Sequence, residues 1–174
     1  MKPEADISQI KAVILDIDGV LTDGRVGYGC GSDDEIKFFD VQDGLGIRLL
    51  IESGVLVGVL SGRRSKANRR RAEELRLSFM VEGARDKRDG FARLLQQQGL
   101  EACQCLYVGD DLIDLPVMGQ VGVAVAVGNA VDEVKAAAHW VCEKTGGRGA
   151  VREVAERLLK ASGQWQSVVS GYRE

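Results

Sequence analysis

Short apolar runs recur along the chain, and the segments between them have the spacing of amphipathic helices. The runs do not alternate strictly between apolar and polar residues, which is typical of strands buried on both faces of a sheet. The predicted strands are KAVILD (11–16), VLVGVL (55–60), FMVEG (79–83), CQCLYVG (103–109), VGVAVAVG (121–128) and HWVC (139–142). The predicted helices cover residues 41–54, 65–75, 87–98, 112–118, 131–138 and 150–159. Strands and helices in this order predict the α/β class: a doubly wound, Rossmann-like parallel sheet with helices on both faces.

The segment RVGYGCGSDDEIKFF (25–39) interrupts this alternation with two short strand-like runs around a turn at residues 31–34. It predicts a β-hairpin flap after the first strand. The flap carries little core of its own, so we expect it to need a partner surface for stability. Asp23, just before the flap, is predicted to form the turn that acts as its hinge.

A single domain over residues 1–174 is the expectation for a chain of 174 residues. The first predicted helix is entered through Asp43 and ends at Gly54. We expect poor order before Ser8 and in the C-terminal tail, residues 161–174.

Positive and negative charges nearly balance, with 23 basic and 26 acidic side chains and a net charge of −3. A nucleic-acid partner is therefore not expected, because such surfaces need a basic footprint. No apolar run approaches the roughly 20 residues of a membrane span. The polar N-terminus MKPEADISQIK does not have the pattern of a signal peptide. These features predict a cytoplasmic protein without a membrane partner.

The four cysteines do not form a metal-binding pattern, since no CxxC pair occurs and the chain has one histidine. We interpret Cys103 and Cys105 as small core residues on a strand, in a reducing compartment. His139, in AAAHWVC, is interpreted as a structural histidine.

Polar side chains follow four of the predicted strands, at the sheet edge where parallel α/β proteins bind ligands. They are Asp16 and Asp18, then Ser61, then Lys87, then Asp110, Asp111 and Asp114. Converging carboxylates repel one another unless a cation lies between them, and an oxygen-only set with few ligands fits Mg²⁺. A hydroxyl and an ammonium group beside the metal can hold phosphate oxygens. One carboxylate can then attack phosphorus, while another protonates the leaving oxygen and later activates water.

The motifs DIDGVLT, LSG, a lysine and GDDLID, in this order, resemble those of the haloacid dehalogenase superfamily of phosphotransferases. The resemblance implies that Asp16 is the nucleophile and Asp18 the general acid/base. It implies that Mg²⁺ is bound by Asp16, Asp110 and the backbone carbonyl of Asp18. It also assigns the phosphoryl-binding hydroxyl to Ser61 and the charge-balancing cation to Lys87.

The other two acidic residues of the fourth motif have less definite roles. The resemblance implies that Asp114 supports the metal site, whereas Asp111 is ambiguous between ligand and support. Taken singly, Ser61 or Asp18 could be a helix or turn cap and Lys87 a solvated helix start. Four motifs in order favour the catalytic interpretation of the whole set.

A narrower resemblance covers most of the chain. The runs DGVLTDGRVGYG, EIKFFDVQDGLGIRLL, LSGRRSK, YVGDDLIDLPVM and GGRGAVRE are similar to those of the capless 3-deoxy-D-manno-octulosonate 8-phosphate phosphatases. This implies hydrolysis of that sugar acid phosphate in lipopolysaccharide biosynthesis. It also implies a homotetramer without cap domains, whose active sites lie near subunit interfaces and whose C-terminal tails can reach a neighbouring site.

The carboxylate of such a substrate needs a guanidinium partner. Gly62, Arg63 and Arg148 are the candidate substrate-binding residues. Related phosphatases for nine-carbon sialic-type acids tend to carry glutamate at the position of Arg63, so arginine favours the eight-carbon substrate. Two alternatives stay open: a nonulosonate 9-phosphate phosphatase, and a non-catalytic tetramerising relative of this domain.

Overall fold

A computed structural model of the protein describes residues 7–30 and 35–173. The strands are β1 (Ala12–Leu15), β2 (Gly27–Tyr28), β3 (Glu35–Ile36), β4 (Leu56–Leu60), β5 (Phe79–Val81), β6 (Cys105–Gly109), β7 (Val123–Ala126) and β8 (Trp140–Val141). The helices are α1 (Val41–Glu52), α2 (Lys66–Leu75), α3 (Lys87–Gln98), α4 (Leu115–Met118), α5 (Asp132–Ala137), α6 (Ala150–Ala161) and α7 (Trp165–Gly171). Short 3₁₀ helices cover Ile7–Gln9, Ala102–Gln104 and Leu112–Asp114, and an irregular turn covers Ile17–Leu21. None of the helices in the described ranges is long and apolar enough to cross a membrane.

Six strands form one parallel sheet in the order β5-β4-β1-β6-β7-β8, with helices flanking it, which confirms the predicted α/β class. Strand β1 lies between β4 and β6, and its Ala12 is opposite Leu56 on one side and Cys105 on the other. Every residue of β1 and of β6 is buried. Continuous burial along a strand means that both faces of the sheet are covered, so the sheet centre is the core of the fold.

Helix α1 packs against α6, and a buried carboxylate joins them. Asp43, in the first turn of α1, accepts hydrogen bonds from the backbone N–H groups of Arg152 (2.8 Å) and Gly149 (3.3 Å) at the start of α6. The N-cap of α1 is Asp40, whose carboxylate accepts from the backbone N–H of Gln42 at 2.6 Å. The prediction that this helix is entered through Asp43 is therefore wrong, because Asp40 caps α1 while Asp43 binds the start of α6.

Strand β6 begins later than the apolar pattern predicts. Residues Ala102–Gln104 form a 3₁₀ turn with Glu101 as its N-cap, and the strand starts at Cys105. Cys105 is buried, which confirms its core assignment. Cys103 is exposed on the turn, so its core assignment is wrong.

The chain continues past α6 into helix α7, so the expected poor order of the C-terminal tail is wrong for residues 162–173. Residues 1–6, where poor order is also expected, lie outside the described residues. The ring of Trp165 in α7 lies 5.7 Å from the Arg152 guanidinium and 5.2 Å from the Lys160 ammonium, both on α6. These cation–π contacts stabilise the packing of α7 against its own chain.

Strands β2 and β3 form the predicted antiparallel hairpin, in which Tyr28 is paired with Glu35. The predicted turn at residues 31–34 lies outside the described residues. Tyr28 and Phe38 are 77% and 79% exposed, so the flap presents large apolar side chains at the surface.

Candidate active site

The carboxyl ends of β1, β4 and β6 adjoin because β1 is paired with both other strands. Asp16, Ser61 and Asp110 directly follow these strands, so they reach one edge of the sheet together. Asp16 and Ser61 are buried. The backbone N–H of Asp16 donates to the carbonyl of Val108 at 3.1 Å, which extends the β1–β6 ladder into the site. The candidate site therefore rests on the centre of the sheet.

Lys87, the first residue of α3, is buried between two carboxylates. Its Nζ lies 2.7 Å from Oδ1 of Asp16 and 2.6 Å from Oδ1 of Asp114. A further contact of 3.2 Å joins Nζ to the Tyr107 hydroxyl. Burial lowers the pKa of Lys87, but the charges of Asp16 and Asp114 outweigh that effect and raise the pKa above its ordinary value. The lysine is therefore a permanent cation of the site.

Asp114 is completely buried, and hydrogen-bond donors surround its carboxylate. Oδ1 accepts from the Tyr107 hydroxyl at 2.6 Å, and Oδ2 accepts from the backbone N–H groups of Asp110 (2.9 Å) and Asp111 (3.2 Å). Asp114 thereby fixes the loop that carries Asp110. The Asp111 side chain is exposed and accepts from the backbone N–H of Leu112 at 2.7 Å, so it caps the following turn.

Three carboxylates form a cluster that fits the predicted Mg²⁺. Oxygen atoms of Asp16, Asp110 and Asp114 lie within 4.8 Å of one another, and Oδ1 of Asp110 is buried without a hydrogen-bond partner among the described residues. Burial, and then the charges of Asp16 and Asp114, raise the pKa of Asp110 to about 8. Burial likewise raises the pKa of Asp16 to about 6. A divalent cation would offset the desolvation and repulsion behind both shifts.

Gly19 leaves room for the Asp110 carboxylate in the cluster of three carboxylates. A Cβ at Gly19 would overlap the carboxylate of Asp110, and the φ of +103° at this residue also favours glycine. The glycine of the DIDG motif therefore lets the turn after β1 approach Asp110 closely.

The flap holds Asp18, which lies on the turn after β1. Lys37 Nζ donates to Oδ1 of Asp18 at 2.6 Å, and Nε of Arg63 lies 3.8 Å from Oδ2. The Lys37 side chain is completely buried. Lys37 lies outside the four sequence motifs. The alternation in EIKFF places Glu35 and Lys37 on one face of the flap and Ile36 and Phe38 on the other, but it does not show that Lys37 meets Asp18.

Ser61 and Arg63 lie on one short turn after β4, with Gly62 between them. The Ser61 Oγ accepts from the backbone N–H of Arg63 at 3.2 Å, which leaves the hydroxyl hydrogen free to donate to a ligand. The Arg63 side chain reaches the flap, where Nη2 donates to Oε1 of Glu35 at 2.8 Å. The candidate phosphoryl-binding hydroxyl and the candidate carboxylate-binding guanidinium are thus neighbours.

Arg148 contacts the base of the flap. In the loop that carries Arg148, Gly146 and Gly147 pack closely on the backbone of Gly19 and Thr22 in the turn after β1. Nη2 of Arg148 lies 3.9 Å from Oδ2 of Asp23, and the Arg148 side chain is 70% exposed. Asp23 also accepts from the backbone N–H of Arg25 at 3.2 Å, the contact expected of a turn-forming aspartate. The structure pairs Arg148 with the flap hinge, whereas Arg63 lies beside Asp18.

Known proteins are similar to this chain over most of its length. Residues 77–154 match the family model of haloacid dehalogenase-like hydrolases. A 3-deoxy-D-manno-octulosonate 8-phosphate phosphatase of Yersinia pestis is 43% identical over 154 residues, which cover 88% of this chain and 82% of the relative. A phosphatase of the same name from Haemophilus influenzae is 41% identical over 158 residues, covering 91% of this chain and 87% of the relative.

Solved structures of proteins with this name share the fold. The crystal structure of the Moraxella catarrhalis phosphatase, in complex with magnesium, phosphate and KDO, has a TM-score of 0.91 and 37% identity, and it covers 95% of both chains. A cobalt-bound structure of the Haemophilus influenzae phosphatase also has a TM-score of 0.91, with 39% identity, and covers 97% of this chain and 99% of that one.

Proposed function

Since the chain belongs to the 3-deoxy-D-manno-octulosonate 8-phosphate phosphatase family of haloacid dehalogenase-like hydrolases, we propose that it hydrolyses that phosphate ester to the free sugar acid and phosphate. The reaction belongs to lipopolysaccharide biosynthesis. The observation that carries this proposal within the chain is the position of Lys87, 2.7 Å from Asp16 and 2.6 Å from Asp114 at the end of the central strands. A buried cation at that point can balance both a carboxylate nucleophile and an incoming phosphate.

The carboxylates of Asp16 and Asp110 and the backbone carbonyl of Asp18 would hold the Mg²⁺ ion. Asp114 would support them through its hydrogen bonds to the loop of Asp110. When bound, Mg²⁺ neutralises the carboxylates and polarises the phosphoryl group. Asp16 is then ionised at neutral pH, as a nucleophile must be.

In the first half of the reaction, a carboxylate oxygen of Asp16 forms a bond to phosphorus while the bond from phosphorus to the sugar oxygen breaks. Asp18 donates a proton to that leaving oxygen, so the sugar departs as an alcohol. The Ser61 hydroxyl and the Lys87 ammonium hold phosphoryl oxygens during the transfer. The product of this half is an aspartyl-phosphate on Asp16.

In the second half, Asp18 accepts a proton from water as the water oxygen bonds to phosphorus. The bond from phosphorus to Asp16 breaks, which releases inorganic phosphate and restores the carboxylate. Lys37 and Arg63, at 2.6 and 3.8 Å, hold the Asp18 side chain toward the flap, and their charges favour the ionised form that accepts the proton in the second half.

The substrate carboxylate is bound by Arg63, with Gly62 giving the sugar access beside it. Arg148, at the flap hinge, is exposed and can turn toward the same anion. Arg63 is the better placed of the two, because it follows Ser61 and lies beside Asp18.

Phosphate release measures this function directly. The purified protein with Mg²⁺ should release phosphate from 3-deoxy-D-manno-octulosonate 8-phosphate faster than from a nonulosonate 9-phosphate at equal concentration. A chelator should abolish release, and added Mg²⁺ but not Ca²⁺ should restore it, since the larger shell of Ca²⁺ disfavours in-line attack. A preference for the nine-carbon ester would instead identify a nonulosonate phosphatase. Release from neither ester would indicate a non-catalytic domain.

The protein acts in the cytoplasm, as a homotetramer of single capless domains with active sites near subunit interfaces. The exposed apolar side chains on and beside the flap support this assembly: Tyr28, Ile36, Phe38 and Val41 are 77%, 49%, 79% and 83% exposed. Such a concentration of large apolar side chains is typical of a surface that another subunit covers. The C-terminal tail, residues 161–174, contains α7, so reaching a neighbouring site would require the contacts of Trp165 with α6 to open.

A further inference from the structure

Four charged side chains meet where the flap returns to the sheet: Asp18, Glu35, Lys37 and Arg63. Lys37 contacts Asp18 at 2.6 Å and Glu35 at 3.6 Å, and Arg63 contacts Glu35 at 2.8 Å and Asp18 at 3.8 Å. Two carboxylates and two cations leave this group without net charge. The guanidinium that the proposed function gives to the substrate carboxylate is therefore already engaged by a carboxylate of the same chain.

Glu35 is well placed to hold Arg63. It lies on β3, its side chain is 16% exposed, and its Oε1 accepts from Nη2 of Arg63. The hydrogen bond from Arg63 is the largest of the effects that lower the pKa of Glu35, so the carboxylate is ionised at neutral pH. Its other oxygen, Oε2, is buried without a hydrogen-bond partner among the described residues. Oε2 lies 3.6 Å from the Lys37 ammonium, so each oxygen of Glu35 faces a cation.

A sugar acid meets a specific obstacle at such a site. If Glu35 stays in place, a third carboxylate enters a group whose charges are already balanced, and it gains little net attraction. If the ligand carboxylate replaces Glu35 on Arg63, a charge-assisted hydrogen bond is exchanged for one of the same kind. Tight binding then requires that the ligand make further contacts besides the one between its carboxylate and Arg63.

We propose that Glu35 is a specificity-determining residue that competes with the sugar acid carboxylate for Arg63. This inference rests on the proposed function. The substrate displaces Glu35 because its phosphate is bound at the same time beside Lys87 and Ser61. The product keeps the carboxylate but has lost the phosphate, so Glu35 takes Arg63 back and the sugar acid leaves. Glu35 therefore favours binding of the substrate, which has a phosphate as well as a carboxylate, over binding of the product, which has the carboxylate alone.

The test is the binding of free 3-deoxy-D-manno-octulosonate to the Mg²⁺-loaded protein, measured by titration calorimetry at low ionic strength. Glu35→Gln should bind the sugar acid about two- to fivefold more tightly than the wild type, the range expected for removing a partly exposed ion pair. Glu35→Ala should shift affinity in the same direction. Glu52→Gln makes the same charge change on an exposed residue at the far end of α1 and should leave the affinity unchanged.

The Arg63→Met background shows whether the effect runs through the guanidinium. There, Glu35→Gln should no longer tighten sugar acid binding. Weaker binding by Glu35→Gln would show that Glu35 orients Arg63 for the ligand, and would overturn the proposal. An affinity equal to that of Glu52→Gln, or no binding by any variant, would overturn it as well.

Phosphate release from the 8-phosphate ester, run on the same wild-type sample, reports the proposed function separately. Sugar acid binding with the expected response to Glu35→Gln but no phosphate release would refute the phosphatase function and leave the competition for Arg63 standing. Phosphate release without tighter sugar acid binding by Glu35→Gln would support the phosphatase function and refute the competition for Arg63.

Discussion

Lys37 Nζ lies 2.6 Å from Oδ1 of Asp18, although nineteen positions separate the two residues in the chain. The Lys37 side chain is completely buried, so its charge depends on Asp18 and Glu35 for compensation. The contact joins the flap to the proposed general acid/base. The position of the flap and the orientation of the Asp18 carboxylate are therefore coupled.

Lys37→Met should lower kcat about 10- to 100-fold, because a freely rotating Asp18 loses part of the gain that a well-placed acid/base supplies. KM should change much less, since the substitution leaves the proposed phosphate-binding groups of Lys87 and Ser61 in place. Lys37→Arg should recover part of kcat by restoring the cation. Steady-state kinetics on the three proteins decides this. Lys11→Met, which removes an exposed lysine just before β1 at the opposite edge of the sheet, should have wild-type kinetics. A change confined to KM would show that Lys37 binds the substrate instead.

Asp16→Asn should abolish turnover and preserve the fold. The substitution removes the proposed nucleophilic oxygen but keeps the side-chain shape, and Lys87 retains Asp114 as a charged partner at 2.6 Å. Phosphate release and circular dichroism, measured on one preparation, test both halves of this expectation. A variant with substantial activity would rule out an aspartyl-phosphate on Asp16.

Tyr107→Phe should destabilise the protein by about 1–2 kcal/mol, because it removes one donor from a fully buried carboxylate. The Tyr107 hydroxyl donates to Oδ1 of Asp114 at 2.6 Å. Burial and the charge of Asp114 raise the pKa of Tyr107 well above its ordinary value, so the hydroxyl remains a donor. Urea denaturation in the presence of Mg²⁺ gives the free energy of unfolding. Tyr172→Phe, at a 67% exposed position, should be neutral, and equal stabilities of the two variants would contradict the expectation.

Much of this site could be predicted from the sequence, because its key residues directly follow apolar strands. Strand β1 pairs in parallel with β4 and β6, so the carboxyl ends of the three strands lie at one edge of the sheet. This pairing fixes the positions of Asp16, Ser61 and Asp110. Lys37 and Glu35 could not be placed in the same way. Their approach to Asp18 and Arg63 depends on how the flap folds back, which no local pattern determines.

The N-cap of α1 also depends on contacts that are distant in the sequence. Asp40 and Asp43 both stand where an N-cap aspartate could begin α1, and the local sequence does not separate them. The partners of Asp43 decide the matter, and they lie at the start of α6, 106 positions away at Gly149. Similarly, the order of the C-terminal tail depends on Trp165 meeting Arg152 and Lys160 across two helices.

Asp43 should make the protein less stable as pH rises through about 6. Burial raises the pKa of Asp43 to about 6, above the ordinary value of about 3.9 for the unfolded chain. The folded state therefore holds this proton more tightly, so the contribution is fully present below about pH 4 and is lost as pH rises through about 6. The loss amounts to about 2–3 kcal/mol.

Urea denaturation of the wild type and Asp43→Asn from pH 4 to pH 8, with saturating Mg²⁺ in both, isolates this group. The difference in free energy of unfolding between the two proteins should shift in favour of the asparagine variant as pH rises. A difference that does not vary with pH would show that Asp43 titrates as it does in the unfolded chain.

Phe38→Ser should dissociate the proposed homotetramer and lower activity together. Phe38 is 79% exposed on the returning arm of the flap, where burying its ring against another subunit would stabilise association by about 1.5–3 kcal/mol at each copy. Because the flap also positions Asp18 through Lys37, a flap without its neighbour should hold the acid/base less firmly, and kcat should fall. Sedimentation velocity and kinetics at matched concentrations test the two effects. Val141→Ser, on edge strand β8 and 41% exposed, provides a control for losing an exposed apolar side chain and should leave both unchanged. If Val141→Ser dissociates the protein while Phe38→Ser does not, the subunits meet along the sheet edge and the flap closes its site without a neighbour.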